Sequence, residues 1–185
     1  MTGHTISSPV ERDHRITLAG AVGFAAALAV ASHAAIPIPG TPVPVSLQPL
    51  VVVLAGMWLG PRAGAMSMVL YLVAGVTGLP VFAPVGAPGV ARLLGPTGGY
   101  LWAYPVAAWL AGVLCRRGSS YAMRLLAATA GIAVIYVGGV SQLAILTGNA
   151  ATALRLGALP FAALDLGKAL LAAALAPGAG TREKD

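Results

Sequence analysis

The sequence holds one cysteine, Cys115, only three histidines and only five acidic residues in 185. A single thiol excludes a disulfide framework and a CxxC metal site. The histidines are scattered and form no metal-ligand cluster. Charge of either sign is scarce: 9% of residues are charged, against the roughly 25% of a soluble domain.

What remains is apolar. Hydrophobic residues make up 58% of the chain and mean hydropathy is +0.86, the composition of an integral membrane protein. The apolar runs are long enough for helices and lack the alternating ten-residue pattern of an outer-membrane barrel, so the expected fold class is all-α. A net charge of +6 is compatible with a nucleic-acid partner, but eight of the eleven basic residues flank the ends of apolar runs, where they set topology.

Residues 1–15 are polar and mixed in charge, which reads as a poorly ordered cytoplasmic arm. Ile16 to Ile36 resembles a signal peptide superficially, but 21 residues exceed an h-region and suffice to span a bilayer. Pro37 to Pro49 carries five prolines and predicts an extended, lid-like loop. Leu50 to Leu59 and Ala63 to Val76 are short apolar segments split by the turn signal Gly60-Pro61-Arg62. Short, proline- and glycine-interrupted spans are where transporters line a site. Gln48, at the mouth of the first, is therefore either a polar contact to a ligand or a helix-start residue facing water.

The glycine- and proline-rich loop from Thr77 to Pro96 contains one charge, Arg92, and either orders over a ligand or wraps a neighbour. Thr97 to Cys115 is an uncharged span whose start carries Tyr100, Trp102 and Tyr104, where an aromatic belt belongs. Leu125 to Leu146 spans again, and Thr147 to Leu159 leads into the last helix. The resulting organisation is an arm (1–15), a six-helix membrane domain (16–177) and a tail (178–185).

The last helix, PFAALDLGKALLAAALAP, sets Asp165 and Lys168 in an otherwise uncharged apolar run. Their i, i+3 spacing puts both on one face, where they pair and face inward. Ionisable groups at membrane depth cost about 2.5 kcal/mol or more each, so they read as a substrate or ion site, the alternative being a structural ion pair. Gly167-Lys168 is not a phosphate loop, since that motif needs Gly at 162 and Ser or Thr at 169, both Ala here. The chain has no visible ATP site.

Six spans put both termini on one side. Arg12, Arg15, Arg62, Arg116, Arg117, Arg124, Arg182 and Lys184 share that side, against Arg92 and Arg155 on the other. The positive-inside rule makes it cytoplasmic. The two Pro/Gly-rich loops and the start of the last helix then face outward and can close one pocket. An intramembrane enzyme would need a nucleophile with a base, or paired carboxylates. Only Asp165 lies at that depth, no GxSxG occurs, and Ser32 and His33 are adjacent positions pointing to different helix faces, so catalysis is not expected.

Four ordered blocks, PVPVSLQPL, GPRAGAMSMVLYLVAGVTGLPVFA, GPTGGYL and PFAALDLGKALL, make the stretch from about Ile36 to Leu171 resemble the BioY family. These are the biotin-specific substrate-binding (S) components of energy-coupling factor (ECF) transporters. The resemblance implies a six-helix fold with an outward-facing biotin pocket in the cytoplasmic membrane, no cofactor, and as partners a transmembrane coupling protein and a pair of ATPases. Self-association is left open. It matches Asp165 and Lys168 to the family's last-helix pair near the ligand and Tyr100 to its GGY motif.

The chemistry is compatible. Biotin has a ureido ring with two N–H donors and a carbonyl, and a carboxylate on an apolar tail. Asp165 suits the donors and Lys168 the carbonyl. Arg92 suits the carboxylate, or else a lipid headgroup. In the first span Ala27, Ala31 and Ala35 recur every fourth residue as a smooth stripe. The resemblance implies that it docks on the coupling protein, and internal packing is the alternative. Two further readings are an S component for a different vitamin, and a membrane scaffold with a purely structural Asp–Lys pair.

Overall fold

Proline and glycine punctuate the apolar runs, and the helix boundaries follow them. The structure, a computed structural model, describes residues 9–118 and 120–177, with side chains from Thr17 onward. Its helices are α1 (Pro9–His33), α2 (Gln48–Leu59), α3 (Pro61–Val76), α4 (Val90–Leu94), α5 (Gly98–Cys115), α6 (Tyr121–Thr147), α7 (Ala150–Gly157) and α8 (Ala162–Leu175). Among the described residues the β contact is an isolated antiparallel bridge, Ile36 to Val45, inside the first Pro-rich loop.

Three elements depart from the sequence expectation. The backbone of residues 9–15 is helical and not an unordered arm. Proline is pre-set for a first helical position. Residues 1–8 of that arm, and the tail with Arg182 and Lys184, lie outside the described residues. Within the second Pro/Gly-rich loop Val90 to Leu94 forms α4. The connector after α6 contains α7, started by Asn149, whose side chain accepts the Thr152 N–H at 2.9 Å.

The turn between α2 and α3 is as expected. Gly60 alone separates them, at φ 83°, a left-handed conformation that glycine adopts without strain, and Pro61 opens α3. Small residues then bring the backbones together. A methyl on Gly56 would stand 1.9 Å from the Ala108 carbonyl oxygen of α5, and one on Gly64 2.6 Å from the Gly56 Cα. The central helix is α5, which packs against α2, α3, α4 and α6.

Two apolar clusters fill the interior. The upper one includes Met68, Tyr71, Phe82, Tyr100 and Tyr104, with the Tyr71 and Phe82 rings edge-to-face at 5.4 Å. The lower includes Val53, Met57, Ala111, Ala127, Ala128 and Ile132. The outside is equally apolar: Val30, Val137 and Ile145 are 72%, 68% and 81% exposed, as lipid contact requires. Two helices, α5 and α6, are long and apolar enough to cross a membrane, and α7 with α8, bent by 55° at their break, adds a third if the pair is one span. The fold is an all-helical membrane protein.

The loops 34–47 and 77–89, α4 and α7 gather at one end of the bundle. At the other, the Arg116 guanidinium lies against Gly60, and Arg124 Nη1 donates to the Ala176 carbonyl at 2.7 Å, closing the C-terminus of α8.

Candidate functional site

Under the gathered loops lies a cavity walled by α2, α3, α5, α6 and α8. Its empty space, counting the open solvent at its mouth, is about 690 Å³. Apolar walls come from Val43, Val45, Leu101, Ile132, Ile135 and Phe161. The five residues expected to contact a ligand, Asp165, Lys168, Arg92, Tyr100 and Gln48, all line this one cavity.

Asp165 stands in the first turn of α8, where the helix dipole favours a carboxylate. Lys168, one turn on, reaches its Oδ1 at 2.5 Å, and both side chains are buried, at 7% and 11% exposure. The Tyr136 hydroxyl of α6 donates to Oδ2. A carboxylate has about four lone-pair positions and an ammonium three N–H donors. The pair therefore keeps acceptors and donors for a ligand while each partner offsets the other's desolvation. That it lines a cavity sets it apart from an ion pair packed within the bundle.

Arg92 is 6% exposed, which excludes the lipid-headgroup position open to it from sequence. Its Nη2 donates to the Ala83 carbonyl, while Nε is buried with no partner among the described residues. Burial draws its pKa below the ordinary 12.5, and an arginine so placed remains cationic. A charged, desolvated fork with a donor to spare has the chemistry to receive an anion.

Gln48 opens α2 but does not face water. It is 8% exposed, its Nε2 donates to the Tyr71 hydroxyl at 3.0 Å, and its Oε1 accepts from Ser46 Oγ at 3.2 Å. Tyr100 and Tyr104 leave the expected aromatic belt and are buried at the cavity. Tyr100 donates to the Gly157 carbonyl at 2.8 Å, tying α5 to α7, and its ring fills a slot that a methyl on Gly139 would close, at 2.2 Å. Trp102 is exposed, as a belt residue should be.

Tyr71, Tyr136 and Phe161 were not singled out from sequence, although a tyrosine in mid-span, away from both interfaces, is a readable sign of a polar interior. Ser32 and His33 lie outside the cavity lining. They differ in burial as expected, yet His33 Nδ1 comes within 3.3 Å of Ser32 Oγ, which lies 2.7 Å from the Ala29 carbonyl and 2.6 Å from the Val81 carbonyl and can donate to one of them.

The alanine stripe is not one open face. Ala27 is exposed, Ala31 is 7% exposed, and Ala35 lies past the end of α1 at His33. Every fourth residue drifts by about 40° around a helix of 3.6 residues per turn, and here the drift turns Ala31 toward the core.

The BioY family model matches residues 7–184. The chain is 43% identical over 135 residues to a probable biotin transporter BioY of Pyrococcus horikoshii, covering 73% of this chain and 79% of that one. It is 36% identical over 153 residues to the biotin transporter BioY of Thermotoga maritima, covering 83% and 89%. Its fold resembles the crystal structure of the S-component for biotin from an ECF-type ABC transporter, with TM-score 0.81, 26% identity and 91% of each chain covered. A match over nearly the whole chain, joined to an all-helical fold with a polar-tipped cavity under its loops, establishes that the chain belongs to the BioY family.

Proposed function

We propose that the chain captures biotin from outside the cell as the S component of an ECF-type ABC transporter and is not itself an enzyme. The observation that carries this reading is the cavity's division of labour: Asp165 and Lys168 offer acceptors and donors side by side, and Arg92 on the loop end has an unused donor. A ureido ring needs the first pair and a carboxylate needs the second, with apolar walls for the chain between them. Tyr136 holds Asp165 in place, and Gln48 and Tyr100 frame the cavity.

In this reading α1, α2, α3, α5, α6 and the bent α7–α8 pair make six spans of the cytoplasmic membrane. The end bearing Arg62, Arg116, Arg117 and Arg124 faces the cytoplasm. The chain supplies no cofactor chemistry, and energy arrives from coupling and ATPase subunits. The outward face of α1, where Ala27 follows Ala19 and Gly23 at four-residue steps, all exposed, supports close approach of a coupling subunit.

Detergent-purified protein titrated with biotin tests the assignment. A one-site ligand that binds only the folded state saturates at one equivalent in the binding titration and raises the melting temperature, further at larger excess. A shift with another vitamin and none with biotin overturns the ligand; no shift with any overturns capture and leaves a scaffold.

A further inference from the structure

We infer that Gln142 is a positioning residue that holds Arg92 over the cavity, an inference that rests on Arg92 meeting the ligand carboxylate. Arg92 rides on α4, a five-residue helix between Gly89 and Gly95. A helix that short has too few internal bonds to persist by itself, so its place depends on what anchors its ends. On one side Arg92 itself donates to the Ala83 carbonyl. On the other, Gln142 of α6 spends both amide hydrogens on the segment, Nε2 donating to the Leu93 carbonyl at 3.0 Å and the Gly95 carbonyl at 2.7 Å. Trp102 adds a weaker bond to Leu93, at 3.3 Å.

A glycine pair lies beside the route taken by Gln142. Gly98 and Gly99 stand inside the first turn of α5. A methyl on Gly98 would stand 1.9 Å from the Leu93 carbonyl oxygen of α4 and 2.7 Å from Gln142 Nε2, and one on Gly99 2.2 Å from the Gly138 carbonyl oxygen of α6 and 2.7 Å from Gln142 Cβ. The GG of GPTGGY thus lets α5 lie against the backbones of α4 and α6, and Gln142 reaches α4 along that seam. Gln142 does not line the cavity, so it acts on the ligand through Arg92 alone.

The test compares biotin with its primary amide, which lacks the anion, on detergent-purified full-length protein. Gln142→Leu keeps most of the bulk and removes both donors. It should weaken biotin roughly tenfold, by faster release, and the amide by less than about twofold. In an Arg92→Ala background Gln142→Leu should cost nothing further for biotin, because the two residues serve one contact. Trp102→Phe, at an exposed position, removes one donor to Leu93 and should give a smaller loss of the same acid-selective kind, which keeps the test open if Gln142→Leu does not fold. Equal losses for acid and amide, or additive losses with Arg92→Ala, overturn the positioning role. If Arg92→Ala alone fails to discriminate acid from amide, the reading of Arg92 falls and this inference with it.

Discussion

The hydroxyl of Tyr136 on α6 donates to Oδ2 of Asp165 on α8, while Lys168 holds Oδ1. The one carboxylate in the cavity lining is therefore gripped from two helices before any ligand arrives. Tyr136→Phe leaves the ring in place and removes one charge-assisted bond, worth about 1.5–3 kcal/mol. Biotin affinity measured by calorimetry should fall roughly tenfold to a hundredfold. Unchanged affinity would mean that Tyr136 only packs.

Asp165→Asn keeps the shape, loses the charged acceptor and leaves the largely buried Lys168 unbalanced. Affinity should drop by about 2 kcal/mol or more, near thirtyfold, with the ligand-free protein still folded. Normal biotin binding by a markedly less stable variant would instead make the pair structural.

Gly56→Ala probes the packing beneath the site. With its methyl 1.9 Å from the Ala108 carbonyl, α2 and α5 must separate, and overpacking of this kind costs about 1–3 kcal/mol. The melting temperature without ligand should fall by several degrees. A melting curve that matches the parent protein would contradict the close approach of these two helices.

Two tryptophan substitutions on α1 should part company. Ala27→Trp lies on the exposed face; it should leave biotin binding intact and abolish co-purification with the coupling module and ATP-dependent uptake. Ala31→Trp meets the chain's own interior and should lower stability in the isolated protein. Ala27→Trp that still assembles and transports would remove α1's outward face from the docking surface.

Asp165 and Lys168 were legible because charge in an apolar run has no innocent place to go. Arg92 was legible as a residue but not in its burial, since only α4, folded back onto Gln142 and Trp102, turns it inward. Tyr136 could be read as a polar group in mid-span, but its partner could not, because Asp165 lies 29 positions away on another helix. The turns at Gly60-Pro61 and the six longer helices followed from glycine, proline and run length. The short α4 and α7 did not, because tertiary anchors and a single Asn149 cap hold them where periodicity is too brief to read. The alanine stripe misled because sequence spacing says which residues share a face, but not which way that face turns.

From Ile132 at the cavity wall, the interior continues through Val53, Ala111 and Ala128, which are fully buried, to the glycine contacts of α2 and α5. The domain is built as a cup with a solid floor. If the chain works as proposed, a ligand that enters such a cup leaves by the mouth through which it came unless the whole domain moves.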